Sequence, residues 1–166
     1  TQGDTVNTTQ IRIHPFRPHQ AAETSALITA VFDEFVGCDY SREGNRTFYN
    51  YTTPQAIRER YATGNLLFVA QAGSAIIGMI EIRDLCHISL LFVGKEYHKM
   101  GIARRLLDTA IASCRSRNPE LSTFSVNASP YSEQIYRRLG FTPRAGLTEK
   151  DGIKYIPMEM KIQPHE

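Results

Sequence analysis

The stretch from Leu90 to Leu107, LLFVGKEYHKMGIARRLL, restricts the fold more than any other part of the chain. It continues a nearly unbroken apolar run, His87 to Val93 (HISLLFV), of the kind that sits near the middle of a sheet. A short polar loop follows, and Gly101 then opens an amphipathic helix. The apolar positions are Ile102, Ala103, Leu106, Leu107, Ala110, Ile111 and Cys114, with Arg104, Arg105 and Asp108 on the other face. A helix start presents free amides and a partial positive charge, and a glycine there lets the backbone approach an anion closely. The segment therefore predicts a strand that leads into an anion site of phosphate or pyrophosphate size. It is not a nucleotide-triphosphate loop, because no Gly-Lys-Ser/Thr closes it.

Elements on either side follow from periodicity and punctuation. Ile11 to Phe16 alternates as a short strand, at an edge because Pro15 has no amide donor. Helical spacing runs from His19 to Val36, with Gly37 as its stop, and a second helix is expected over Gln55 to Ala62 behind Pro54. Between them Cys38 to Thr53 is polar and aromatic. Leu66 to Ala72 and Ala75 to Arg83 read as a hairpin turning at Gly73-Ser74. Leu121 to Asn127 reads as a strand, and Ser129-Pro130 as the start of a helix that ends at Gly140. Phe141 to Arg144 and Ile153 to Lys161 complete the strands, with Pro157 expected to bend or interrupt the last. The order β-α-α-β-β-β-α-β-α-β-β predicts one α/β domain over residues 11–163 behind a flexible extension at 1–10.

Composition excludes several classes. Net charge is +2 with basic residues spread along the chain, which argues against a dedicated nucleic-acid binder. Cys38, Cys86 and Cys114 are widely spaced, so no metal site is expected and reduced thiols are. No signal-peptide pattern opens the chain, and no apolar run approaches the roughly 20 residues of a membrane span. The expectation is a cytoplasmic protein without membrane or nucleic-acid partners.

Two motifs carry a family resemblance. His98-Lys99-Met100-Gly101-Ile102-Ala103 matches Gln/Arg-x-x-Gly-x-Gly/Ala except at its first place, where His98 stands. Further on, Val126-Asn127-Ala128-Ser129-Pro130 precedes Tyr136-Arg137-Arg138-Leu139-Gly140-Phe141. In this order and at this separation, the motifs resemble those of the GNAT N-acetyltransferase superfamily. The resemblance covers about residues 11–160 and implies a GNAT fold, with a mixed, mostly antiparallel central sheet flanked by helices. It implies acetyl-CoA or coenzyme A as co-substrate and an amine, small-molecule or peptide, as acceptor. A homodimer would be compatible with it.

The resemblance also assigns roles. The backbones of Leu91, Phe92 and Val93 would pair with the pantetheine arm, and an amide near Phe92 would meet the oxyanion. Amides of His98, Lys99, Met100, Gly101, Ile102 and Ala103 would hold the pyrophosphate, with Lys99 and Arg104 neutralising charge. Asn127 would bond the pantetheine or the loop beside it; without the motif it reads as a strand-end turn residue. Tyr136 would protonate the departing thiolate. On spacing alone it could equally be a core aromatic.

His87 is the first candidate for a base that deprotonates the amine, against the alternative of a strand-end histidine bonded to backbone. Glu81 is the second candidate and is also assigned to the acceptor side; its alternative is a solvated charge. Tyr40 and Phe48, in the segment that also holds Arg42, Glu43 and Tyr49, are expected to line the acceptor, or to be aromatics that cap the core. Pro143 to Gly152 is a second candidate loop. The reading is an N-acetyltransferase working by direct attack on the thioester. Its rivals are an acyl-CoA sensor without catalysis and a protein-interaction domain.

Overall fold

In the computed structural model, residues 10–163 are described, so the expected N-terminal extension lies outside them except for Gln10. The three apolar strands in mid-chain form where their alternation places them: β2 at Leu66–Ala72, β3 at Ala75–Arg83 and β4 at His87–Val93. The first strand, β1 (Ile11–Pro15), pairs with β2 at the sheet edge, where the missing amide of Pro15 costs no ladder bond. With β5 (Thr123–Ala128), β6 (Thr142–Pro143), β7 (Thr148–Lys150) and β8 (Ile153–Lys161), the order is β1-β2-β3-β4-β5-β8-β6, and β7 pairs with β8. All these pairings are antiparallel except β4 with β5. The sheet is therefore mixed and mostly antiparallel.

Helices cover both faces. One face holds α4 (Ile102–Arg117), whose buried Ile102, Leu106, Leu107, Ala110 and Cys114 pack in a cluster with Ile80, Ile88, Phe124 and Tyr136. Gly78 on β3 permits this approach, because a Cβ there would stand 3.2 Å from Leu106 Cδ1. The opposite face packs Phe16, Ile28, Ile57, Val69, Met79 and Leu90 beneath α1 (Ala21–Phe35) and α3 (Pro54–Ala62). Each buried aliphatic or aromatic side chain of this size contributes about 1.5–3 kcal/mol. Successive residues of β4 serve the two layers in turn: Leu91 and Val93 join the first, Leu90 and Phe92 the second.

Several elements differ from expectation. The segment read only as polar and aromatic contains a ten-residue helix, α2 (Arg42–Tyr51), capped by Ser41 Oγ, which accepts from Gly44 N at 3.0 Å. The last short helix, α5, spans Glu133–Leu139 and not from Ser129, because residues 129–132 first form a turn. In that turn Ser129 Oγ accepts the Ser132 amide at 3.2 Å, while Gly140 ends the helix in the left-handed conformation as expected. Pro157 does not interrupt β8, which pairs through it with Asn127. Finally, the expected loop Pro143 to Gly152 contains β7.

The β7–β8 turn reaches α2. Its central residues, Asp151 and Gly152, both have positive φ (54° and 79°), as a two-residue hairpin turn of this hand requires. Ser41 N donates to Gly152 O at 3.0 Å. A Cβ on Gly44 would lie 2.3 Å from that same oxygen, so the contact exists only because Gly44 has no side chain.

Candidate active site

The parallel pair β4–β5 is short. Register is held only at His87 with Ser125 and Ile88 with Val126, after which the two strands separate. A bulge falls at the parting: Glu81 pairs with Leu90 and Ile82 with Ile88, which leaves Ser89 as the extra residue of β4. Between the separated strands lies a cleft of about 380 Å³. On the β4 side it is lined by Ser89, Leu90, Leu91, Phe92 and Val93, then by His98, Lys99, Gly101, Ile102, Ala103 and Arg104. From the β5 side come Val126, Asn127, Ser129, Tyr131 and Ser132, then Ile135, Tyr136, Arg138 and Leu139 of α5, while Val31, Val36, Tyr40 and Phe48 close it from α1 and α2.

The β4 backbone is left partly free there. Gly94 N donates to Ile77 O, so by ladder alternation Phe92 bonds to β3, while Leu91 and Val93 turn their peptide groups to the cleft. The Phe92 amide, expected to meet an oxyanion, is thus committed to Met79. Val93 O is also taken, accepting from His98 Nε2 at 2.8 Å. The His98 ring lies 5.3 Å from that of Phe35, which stacks at 5.0 Å on Tyr131.

Gly101 caps α4 with φ 77°, and a Cβ built on it meets nothing within 4 Å. The approach to the helix N-terminus is therefore open. Lys99 is held at φ 64°, in the left-handed region that lysine rarely adopts, and its side chain is exposed. Arg104, expected to neutralise phosphate, lines the cleft and also caps α5, donating to Leu139 O at 3.2 Å and Arg138 O at 2.9 Å. Met100 does not line the cleft and packs against the core beside α4. Asn127 is exposed on the β5 side.

Tyr136 lies in the cleft wall, 6% exposed, with its ring edge-on to Phe141 at 5.5 Å. Burial, with a smaller contribution from Tyr40, pushes its phenol well above the usual tyrosine range. Tyr40 lines the same cleft, and burial, reinforced by Asp39, pushes its phenol up to about 12. Both phenols therefore stay protonated at neutral pH. Phe48 stacks on Phe32 at 3.8 Å and stands 5.9 Å from Phe92, closing the α2 side. Arg42 and Tyr49 face away, around a shallow depression on α2 with Asn45 and Arg46, and the Tyr49 hydroxyl donates to Asp33.

The two expected bases are not brought to the cleft. His87 sits at the closed end of the β4–β5 pair, its Nδ1 2.7 Å from Ser125 Oγ. Burial, then the Arg83 charge, lowers its pKa to about 4, so it is neutral at physiological pH but absent from the cleft lining. Glu81 is 0% exposed and serves the fold. It accepts from Arg60 Nε at 2.7 Å, Arg60 Nη2 at 3.1 Å and Asn65 Nδ2 at 2.8 Å. It is not a solvated charge, and it does not line the cleft. Sequence reasoning missed Ser89, Tyr131 and Arg138; Arg138 is two residues from Tyr136 in α5, a spacing that places side chains on different faces of a helix and so gave no signal.

Comparisons with known proteins agree with this architecture. A curated relative, a UPF0039 protein of Schizosaccharomyces pombe, is 23% identical over 82 residues, 49% of this chain and 55% of that protein. The chain thus spans about half the length of the curated relative it matches. Among solved structures, a GCN5-related N-acetyltransferase from Rhodopseudomonas palustris superposes with TM-score 0.77 at 19% identity, covering 91% of this chain and 95% of that one. The PaiA N-acetyltransferase of Thermoplasma acidophilum, in complex with coenzyme A, gives TM-score 0.73 at 19% identity over 92% and 99%. An aminoglycoside 6'-N-acetyltransferase complexed with coenzyme A gives 0.67 at 14% over 93% and 99%. The family model described as the acetyltransferase (GNAT) domain matches residues 36–162, which include both sides of the cleft and the loop before α4. The chain belongs to the GNAT acetyltransferase family.

Proposed function

We propose that this protein is an N-acetyltransferase that moves an acetyl group from acetyl-CoA to a primary amine by direct attack. The observation that carries the reading is the parting of β4 from β5, which opens onto a bare helix N-terminus at Gly101. Amides from Lys99 to Ala103 would hold the pyrophosphate there, the expected His98 amide being engaged by Lys95 O at 3.2 Å, with Lys99 and Arg138 as nearby cations. The Leu91 peptide group, the Val93 amide and Asn127 would hold the pantetheine arm. Two of the structural relatives are complexes with coenzyme A, which supports the same co-substrate here.

Bound acetyl-CoA would supply the thioester. The amine lone pair forms the C–N bond, and the C–S bond breaks with its electrons on sulfur. Tyr136 is the proton donor to that sulfur, since its phenol is held protonated in the cleft wall. The extra proton on the new amide nitrogen passes to solvent or returns through it to the tyrosinate. Acetylated amine and free thiol are the products.

Calorimetric titration with acetyl-CoA and with coenzyme A tests the reading, together with Gly101→Asp. Wild type is expected to bind at micromolar concentrations, and the added carboxylate to weaken binding by roughly a hundredfold through repulsion of the pyrophosphate. A wild type that binds neither ligand overturns it. Binding without thiol release to any amine would favour a sensor.

A further inference from the structure

The acceptor side of the cleft has a definite chemistry. Val31, Val36, Tyr40, Phe48 and Phe92 form an apolar and aromatic wall. Ionised groups among the described lining residues are Lys99, Arg104 and Arg138, all cationic. Carboxylates nearby lie outside the lining: Glu34 is paired with Lys95 at 2.5 Å, Asp33 accepts from Tyr49, and Asp39 stands beside Tyr40.

At the apex is Ser89, the bulge residue and the first of β4 beyond the last pair with β5. Its Oγ is buried and has no hydrogen-bond partner among the described residues. A buried hydroxyl left unpaired is costly, and one aimed into a ligand cleft is explained by a partner that arrives with the ligand.

We propose that the acceptor is a primary amine on an apolar, aryl or aliphatic body with no second cation, and that Ser89 Oγ meets its nitrogen. This rests on the acetyltransferase reading and specifies its substrate. Ser89 Oγ accepts an amine N–H, which leaves the nitrogen lone pair free to attack. The apolar wall strips water from the entering ammonium and lowers its pKa, so the neutral amine forms without a carboxylate base. That accounts for a cleft in which neither His87 nor Glu81 takes part. A second ammonium would have to be buried against the same wall without a partner.

The test compares hexylamine, 2-phenylethylamine and 1,6-diaminohexane by thiol release, with acetyl-CoA affinity measured in parallel. The two monoamines are expected to exceed the diamine in kcat/KM by roughly tenfold or more. Equal or greater activity with the diamine overturns the acceptor class while leaving acetyl transfer intact. If acetyl-CoA binds and none of these amines releases thiol, the acceptor class is overturned, whereas the transfer reading falls only if acetyl-CoA and coenzyme A are not bound. Ser89→Ala should raise KM for hexylamine roughly five- to tenfold, with acetyl-CoA affinity unchanged and Tm equal or higher because the unpaired hydroxyl is gone, and Ser89→Thr should recover part of the loss. An unchanged KM in Ser89→Ala removes Ser89 from the site.

Discussion

Replacing Glu81 by Gln separates a structural carboxylate from a catalytic one. Glu81 is fully buried and accepts three hydrogen bonds, two from Arg60 and one from Asn65. Arg60, with a side chain only 18% exposed, also donates to Tyr51 O at 2.6 Å and lies 3.6 Å over the Tyr51 ring. Glutamine keeps the shape but removes the charge and turns an NH₂ toward groups that are all donors. Breaking one partner from a buried pair costs about 3–5 kcal/mol. For a chain of this length each kcal/mol lowers Tm by about 2–4 °C, so a fall of about 6–20 °C is expected. Thermal unfolding followed by circular dichroism reads it, with acetyl-CoA affinity measured well below the transition and expected to be unchanged. Removing both charges, with Arg60→Met and Glu81→Leu together, should give a protein more stable than either single replacement, because no buried charge is stranded. The reasoning is refuted if Glu81→Gln melts with wild type yet loses thiol release, since the carboxylate would then act in the chemistry.

Tyr136→Phe should lower kcat by about 10²-fold or more while acetyl-CoA affinity holds, and stopped-assay thiol release checks it. Because the Tyr136 pKa is raised, the wild-type rate should not fall as pH passes through the ordinary tyrosine value of about 10. His87 has its folded pKa lowered to about 4, so its neutral form favours the native state above the unfolded value of 6.5, and that stability is lost as pH falls from 6.5 toward 4. Urea midpoints at pH 7 and pH 5 should therefore differ less in His87→Gln than in wild type. Gly44→Ala should destabilise by about 1–3 kcal/mol, because its Cβ would overlap Gly152 O; a urea midpoint equal to wild type would show that the hairpin gives way freely.

The sequence made some elements plain and hid others, for physical reasons. Strands β2, β3 and β4 are legible to the residue because their apolar side chains are needed on defined faces of the sheet. Helix α2 was hidden by the polar composition of REGNRTFYNY, although its polar and apolar side chains are well segregated at helical spacing; Ser41 capping and the docked Gly152 turn also support it. The Asp151-Gly152 pair is a hairpin signal that was available and was passed over. Tyr136, the α4 loop and the β4 strand come together because the motifs fix them locally. Glu81, on β3, is taken up by Arg60 and Asn65, and His87 failed as a cleft residue for a non-local reason: where β4 leaves β5 depends on two chain segments far apart in sequence. Nothing within either segment records that point.

The contact between Gly152 and the start of α2 bears on the width of the cleft. Strand β8 is bound along β5, one arm of the parted sheet, whereas α2 sends Phe48 against Phe92 on the other arm. The arms are joined at their base by the two residue pairs of β4 and β5, and again farther out through the hairpin tip and α2. The result is a closed frame with the cleft inside it, like two rafters joined at the ridge and held by a tie-beam. Spreading the rafters loads the tie, so a substitution at Gly44 or Gly152 should alter the fit of a ligand without touching it.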